Sequence, residues 1–321
     1  MKSSVILINS ISEDPTPDEQ DVLAQASEVQ KALEFIGYDT IRVFLSLDLS
    51  TAREYLEKIS PEVVFNLVET VGGKGQLIHL APSLLESMGI PFTGSGSYAM
   101  YLSSHKLIAK KRFKELGIPT PGWIQMVDLP GIKTDKKYIC KPVWEDGSVG
   151  ITDNSVIQGD SPVKINLSDL KNDKIFLEEY IHGREFNISI IGDKKRPQVL
   201  PPAEIRFVDY PPEKPHILNY ASKWDESSFE YHNSVRTFDF SPADDLLISK
   251  IKEISLMCWH GLELNGYARV DFRVNENNEP FVLEVNANPC ISPDSGFMAA
   301  AGEADLNYKE VIERIVGCAL Q

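Results

Sequence analysis

Hydrophobic and polar positions along this chain switch between two periods. Val5-Ile6-Leu7-Ile8 is a short continuous apolar run, as expected of a buried strand. Thr16-Pro17-Asp18-Glu19 then opens a helix: Thr16 suits the N-cap, Pro17 the first helical position, and Glu19 completes a capping box. Val22, Ala26, Val29, Leu33 and Ile36 recur at helical spacing on one face, and Gly37 ends the helix. Strands over 40–45 and 63–68, with a helix over 50–59 between them, complete a β-α-β-α-β run, the pattern of a parallel sheet covered on both faces. Residues 80–89 read as helix, and Ile90 to Gly96 as a short strand ending in a glycine-rich turn that marks the first boundary.

Beyond that turn a basic helix runs from Ser104 to Leu116, stopped by Gly117 and Pro119. Strands are expected over 138–141 and 175–180, and a buried one over 186–191. Six prolines between Pro197 and Pro215 exclude a regular element there and make residues 206–235 a large loop. Helix returns over 242–260 with Leu246, Leu247, Ile251, Ile254 and Met257 on one face.

Composition narrows the function classes. The 321 residues suffice for two or three domains, and 42% hydrophobic with 25% charged residues is ordinary for a globular protein. A formal charge of −15 argues against a nucleic-acid backbone or an anionic membrane as the main partner, but leaves room for nucleotides held by local lysines and metal ions. No apolar run approaches the roughly 18–20 residues of a membrane span, no signal peptide is legible, and the expected location is cytoplasmic. Four cysteines without C-x-x-C spacing write neither a zinc site nor a disulfide framework.

The sharpest local feature is a pair of alternating runs, Gly266 to Val274 and Phe281 to Asn286, around the polar turn 275–280. If the pairing closes on residues 275 and 280, Asp271 faces Glu284 and Arg269 faces Asn286. These four share one face, and Val270, Phe272, Leu283 and Val285 take the other. Two carboxylates opposite each other repel. A cation reverses that penalty: Asp271, Glu284 and Asn286 supply only oxygen ligands, the hard set that suits Mg²⁺ or Mn²⁺ with substrate phosphates completing the shell. A solvated edge hairpin with Arg269 and Arg273 neutralising the acids accounts for the same spacing. Elsewhere Lys141, on a strand just before Gly147-Ser148-Val149-Gly150, pairs a charge with a small-residue loop that can approach a phosphate, although most such loops are only turns. No Walker-type site and no nucleophile–base–acid triad is present.

Taken in order, these pieces resemble the ATP-grasp ligases, most closely the D-alanine–D-alanine ligase branch. The resemblance rests on Met88 to Gly96, Ser104-His-Lys106 and Leu116 to Pro121. It continues through Lys141-Pro142 with Gly147 to Gly150, and Phe176 to Glu185. The most specific pieces are Ala268-Arg-Val-Asp-Phe272 and Leu283-Glu-Val-Asn-Ala-Asn-Pro289. It implies an α/β and α+β protein with the three-domain ATP-grasp fold. Residues 1–97 would form an N-terminal doubly wound β/α substrate domain, 98–176 a small central lid domain, and 177–321 a C-terminal antiparallel sheet with helices and the metal site. It further implies that Lys106 and Lys141 contact ATP phosphates under a loop containing Gly147 and Ser148. Glu178, Glu179, Tyr180 and Ile181 would take the adenine, and Glu185 the ribose. Asp271, Glu284 and Asn286 would hold two Mg²⁺, Arg269 would neutralise the tetrahedral oxyanion, and Lys223 would reach the γ-phosphate.

The implied reaction joins a small amino-acid or peptide carboxylate to an amine, free or carrier-bound, through an acyl phosphate, releasing ADP and phosphate; the family suggests a homodimer. The first sixty residues depart from the pattern. The helix start carries Glu19, Gln20 and Asp21 where the family has one ammonium-binding glutamate in a Glu-Val-Ser start. Gly147 and Trp224 stand where a serine and a tyrosine are expected, and Pro289-Cys290 replaces Pro-Gly. Ser295 lies where the family places a serine for the second substrate's carboxylate. The ATP and metal machinery therefore reads as complete and the amino-acid pockets as remodelled.

Overall fold

Strand β1 (Lys2–Asn9) is buried from Ser4 onward because it lies between two partners, β2 (Tyr38–Leu45) and β3 (Val63–Asn66), in a parallel sheet of order β2-β1-β3. The computed structural model describes residues 2–125, 132–144, 147–160 and 174–321. Helix α1 (Pro17–Phe35) starts on the expected capping box, and Gly37 at φ +95° turns the chain into β2. Helix α2 (Leu49–Ile59) links β2 to β3, and α3 (Leu80–Met88) follows. The strand expected before the glycine-rich turn reduces to a single bridge, Phe92 to Val64. The expected basic helix is α5 (Lys106–Glu115), and a helix the sequence reading did not include, α4 (Ser97–Ser104), precedes it; His105 between them has an extended backbone that breaks the helix while its ring Nδ1 accepts from Ile108 N.

A small antiparallel sheet of order β4-β7-β5-β6 comes next, from β4 (Trp123–Ile124), β5 (Lys137–Pro142), β6 (Val156–Gln158) and β7 (Ile175–Glu179). The larger sheet comprises β8 (Arg184–Gly192), β9 (Pro197–Val199), β10 (Ala203–Phe207), β11 (Ser234–Thr237), β12 (Gly266–Val274) and β13 (Pro280–Asn286). Its path is β11-β10-β8-β12-β13, with β9 beside β8. The expectation of a plain loop after Pro197 is wrong. That stretch holds β9 and β10, then α6 (Tyr220–Trp224), α7 (Phe229–Asn233) and β11. The prolines sit between these elements or at the first residue of a short edge strand, where a missing N–H costs little.

Helix α8 (Asp245–Gly261) buries Leu247, Ile251, Ile254 and Cys258 against the sheet, while Leu246 is 86% exposed and Met257 also faces outward. The buried stripe follows the 247-251-254-258 spacing, which leaves those two expected core residues off the face. Helices α9 (Gly296–Glu303) and α10 (Tyr308–Ala319) close the chain. Ile312 and Ile315 of α10 and Phe297 of α9 share a core with Val29 and Leu33 of α1 and with Tyr267 of β12, so the first and last parts of the chain bury one another.

The glycine-rich turn is the joint between the parallel sheet and β12. Asn265 N donates to Ser95 Oγ at 3.1 Å, and Asn265 Nδ2 donates to Gly94 O at 3.3 Å. Gly266 sits at φ +77°, and a Cβ there would lie 2.9 Å from Gly94 N. Both the backbone conformation and the contact require glycine. Gly266→Ala is expected to lower unfolding stability by at least about 2 kcal/mol, read by urea denaturation.

Candidate active site

The hairpin β12–β13 places Asp271 opposite Glu284 and Arg269 opposite Asn286, as the alternation predicts. The register is reached by a route the sequence reading did not assume. Val274 pairs with Pro280, one residue short of the expected closure, and a bulge after Phe272–Val282 restores the expected pairing at Asp271. Outside the hairpin, Val282 N donates to Pro119 O at 2.8 Å and Val282 O accepts from Thr120 Oγ1 at 2.8 Å. The bulge frees Leu283 from the core: Val282 is buried in its place, and Leu283 lines a cleft with Glu284.

That cleft measures about 610 Å³, and every residue expected at the site, from Lys106 to Ser295, lines it. Mutual repulsion of the two acids is relieved by cations. Arg269 forks onto both oxygens of Asp271 at 2.8 Å, and Asn187 Nδ2 donates to Asp271 Oδ1 at 2.8 Å. Lys106 Nζ lies 3.4 Å from Glu284. Burial alone would raise the Glu284 carboxyl, but Lys106, Lys141, Lys223 and Arg269 together hold it down at about 2. Asn286 Oδ1 accepts from Asn288 N at 3.0 Å, which fixes the amide at the strand end.

A divalent ion is tested on these donors. Among the described residues no cluster of three His, Cys, Asp or Glu groups could hold a metal by itself. Two carboxylates and an amide oxygen on one cleft wall, with no nitrogen or sulfur donor among them, still fit a hard cation whose remaining ligands are phosphate oxygens.

At the other end of the cleft Glu178 is 1% exposed and carries two lysines: Lys110, wholly buried, at 2.5 Å, and Lys141. Burial pushes the carboxyl up, and the two ammonium groups override it, leaving Glu178 ionised and below the ordinary range. Lys110 also donates to Thr120 Oγ1 at 2.7 Å, tying the pair to the segment that pins the hairpin bulge. Glu179 is ion-paired to Lys136, and the backbone amides of Glu179 and Tyr180 donate to Gly122 O and Lys137 O. Glu185 is buried beside Arg273 at 3.3 Å; burial pushes its carboxyl up, partly offset by that guanidinium. Arg273 therefore serves Glu185, and Arg269 alone of the two hairpin arginines holds a hairpin acid.

The small-residue loop is stitched to the segment before and within α6. Gly147 at φ +65° and Ser148 at +64° turn its backbone toward that segment. Ser148 Oγ donates to Leu218 O at 2.7 Å, and Trp224 Nε1 donates to Gly147 O at 3.0 Å. Gly147 and Trp224 lack the expected hydroxyls, yet they join the two loops through an indole N–H and a backbone carbonyl. Lys223, beside Trp224, faces Arg269, Asp271, Glu185 and Glu284, and burial and Arg269 lower its ammonium pKa.

Of the three candidates at the start of α1, only Asp21 lines the cleft. Glu19 is consumed by its cap, accepting from Ser12 Oγ and Thr16 N. Asp21 accepts from Ser292 Oγ at 2.5 Å and from Cys290 Sγ at 3.0 Å, and burial pushes that thiol up. Cys290 is thus a polar participant in the cleft wall rather than a small apolar core residue. Gln25 bridges Asp21 to Glu69. Sequence reasoning missed Glu69, Lys110 and Arg236. Glu69 follows the C-terminal end of β3, where ligands of parallel sheets bind, and could have been found on that ground. Lys110 lies one turn after Lys106, a weak signal. Nothing local marks Arg236. Ser295, expected at a substrate carboxylate, lines the cleft as the N-cap of α9, its Oγ accepting from Met298 N.

Comparison with known proteins gives consistent findings. A family model described as D-ala D-ala ligase C-terminus matches residues 114–317. An uncharacterized protein of Sinorhizobium fredii is 30% identical over 304 residues, covering 92% of this chain and 87% of its own. A D-alanine–D-alanine ligase of Aquifex aeolicus is 30% identical over 300 residues, covering 92% and 94%. The D-alanine–D-alanine ligase of Bacillus anthracis, solved in complex with ATP, superposes with a TM-score of 0.75 at 22% identity, covering 100% of this chain and 98% of that one. At that identity the likeness establishes the three-domain ATP-grasp fold.

Lys110 is expected to be a stability residue whose loss strands a buried acid. Lys110→Met should cost about 3–5 kcal/mol in urea unfolding, whereas Lys111→Met on the exposed face of α5 stays within about 0.5 kcal/mol.

Proposed function

The chain belongs to the D-alanine–D-alanine ligase family of ATP-grasp enzymes, and we propose that it is an ATP-dependent ligase joining an amino-acid or peptide carboxylate to an amine other than the pair of two D-alanines. The observation that carries the ligase reading is the Asp271–Glu284 pair with Arg269 forked onto Asp271 in the same cleft. The fold does not need a guanidinium there to hold nucleotide; an oxyanion formed during acyl transfer does.

In this reading the donor carboxylate oxygen attacks the γ-phosphorus, the bond from γ-phosphorus to the β–γ bridging oxygen breaks, and ADP departs. Lys106, Lys141 and Lys223 offset the phosphate charge as it redistributes. Asp271, Glu284 and Asn286 would hold Mg²⁺, which would supply charge neutralisation at the terminal phosphates. Glu178 to Ile181 flank the adenine, with Glu178 acting through the lysines it orients, and Glu185 takes the ribose. The amine then attacks the acyl carbonyl, Arg269 stabilises the oxyanion, the carbon–oxygen bond to phosphate breaks, and the ammonium proton is lost as the amide forms. The stitched loops containing Gly147, Ser148 and Trp224 exclude water from the acyl phosphate, which would otherwise hydrolyse. We place the enzyme in the cytoplasm, as a homodimer like that suggested by the family; among the described residues no helix is long and apolar enough to cross a membrane.

The remodelled pockets support the substrate clause. Asp21 and Glu69 stand on the donor side, and the serine–tyrosine pair of the family is replaced by Gly147 and Trp224. ATP-dependent hydroxamate formation from hydroxylamine, screened over amino acids and short peptides as donors, tests the ligase reading directly. D-alanyl-D-alanine synthesis at enzyme-like rates would sink the substrate clause alone. Glu284→Gln is expected to lower ADP formation at least about 100-fold in a sample that melts at nearly the wild-type temperature. Trp224→Phe keeps the ring and removes its N–H; the ratio of ADP released to amide formed should rise about fivefold, the worth of one neutral hydrogen bond.

A further inference from the structure

Arg236 has no role in the chemistry above, yet it faces the same cleft. It pairs in register with Ile205 on β10, which pairs with Glu185 on β8, so these residues form one row across the cleft-facing side of the sheet, with Arg236 at the edge. Its guanidinium does not return to the protein. Among the described residues the Arg236 side chain makes no hydrogen bond and no ion pair. It reaches over the first turn of α9: a Cβ built on Gly296 would lie 3.3 Å from its Nη2 and 3.7 Å from its Cζ. Asp294 and Ser295, the residues before that helix, line the cleft beside it.

The surroundings are electrostatically unfavourable for a bare cation. Arg269 is a second guanidinium on the same side, and burial and Arg269 push the Arg236 pKa down while Asp294 acts the other way at longer range. The N-terminal end of a helix also carries partial positive charge. A chain of net charge −15 has ample acids with which to pair a surface arginine, and this one is left unpaired at the mouth of a cleft. A planar anion resolves the imbalance: an arginine fork matches a carboxylate through two parallel N–H···O bonds.

We propose that Arg236 is a specificity-determining residue that binds the carboxylate of the amine substrate, so that the acceptor is an α-amino acid or peptide with a free carboxylate rather than a neutral or carrier-bound amine. The proposal rests on the ligase reading and deepens its acceptor side. Arg236 borders Gly296, the residue after Ser295, and the cation that acts on it is Arg269 and none of the lysines, which suits the acceptor better than the nucleotide. Glycine at 296 leaves the space the guanidinium uses.

The test uses the whole protein with ATP, Mg²⁺ and the donor found by the hydroxamate screen. Proteinogenic L-amino acids and D-alanine are compared as acceptors with their carboxamides, by mass spectrometry of the amide product and by ADP release. The expected result is that acids outperform their carboxamides at least 100-fold in kcat/KM. Arg236→Ala should raise the KM of the best acid at least tenfold with the KM for ATP little changed, and Arg236→Lys should fall between. Gly296→Ala, tolerated in the first turn of a helix, should raise the same acceptor KM by a smaller factor because its methyl displaces the guanidinium. Carboxamides working as well as acids would overturn the proposal, as would an Arg236→Ala effect confined to the KM for ATP. Hydroxamate formation with no amino acid accepted would also overturn it while sparing the ligase reading. Absence of hydroxamate from every donor would strike that reading itself, and this inference with it.

Discussion

Two carboxylates held opposite each other across one hairpin organise this molecule. Asp271 is buried and Glu284 only partly exposed on the wall of the cleft, so solvent screens their repulsion poorly. Cations therefore have to be delivered from elsewhere in the chain: Arg269 from the same strand, Lys106 from the start of α5, and Lys223 from α6. Each is brought by a different element, so the charge balance at the hairpin is also a constraint on how the sheets and helices are arranged. Under that arrangement the surrounding lysines and Arg269 hold the Glu284 carboxyl well below the ordinary range.

The Lys110–Glu178–Lys141 group extends the same logic into the interior. A buried ion pair gains little over an apolar pair of the same size, but losing one partner is costly. Here the group does more than hold charge. Glu178 fixes Lys141 at the cleft wall, and Lys110 anchors Thr120, which with Pro119 pins the bulge at Val282. The bulge sets the register that places Glu284 opposite Asp271. The Glu178 end and the hairpin end of the cleft are thus connected through a few buried polar contacts.

Departures from the family pattern fall where the chemistry can absorb them. Gly147 and Trp224 replace a hydroxyl pair, and an indole N–H to a backbone carbonyl joins the loops instead. At the start of α1 the residues Asp21, Gln25, Glu69, Cys290 and Ser292 form a connected polar wall with contributions from α1, the end of β3 and the segment before α9. Catalytic electrostatics tolerate little change, whereas a substrate pocket is free to vary with its ligand.

How much was legible follows from the range of the forces. The capping box of α1, the β-α-β-α-β opening and the facing of Asp271 by Glu284 were readable because each depends on residues a few positions apart or on strict alternation. The prolines after Pro197 misled, since they flank short elements instead of excluding them, and Leu246 was misplaced because helical spacing leaves the exact edge of a buried stripe open. The alternation puts Leu283 on the face of Val270 and Phe272, whereas the bulge beside Val282, which bonds Thr120 from 162 residues earlier in the chain, turns it to the cleft. The amino-acid sequence alone determined the local elements and the chemical kind of the site, because periodicity and motif spacing are short-range properties. Tertiary structure decided which acid at the start of α1 enters the cleft, which lysines share Glu178, and that the Arg236 side chain has no partner among the described residues, because burial and pairing are settled by elements that meet only after the chain has folded.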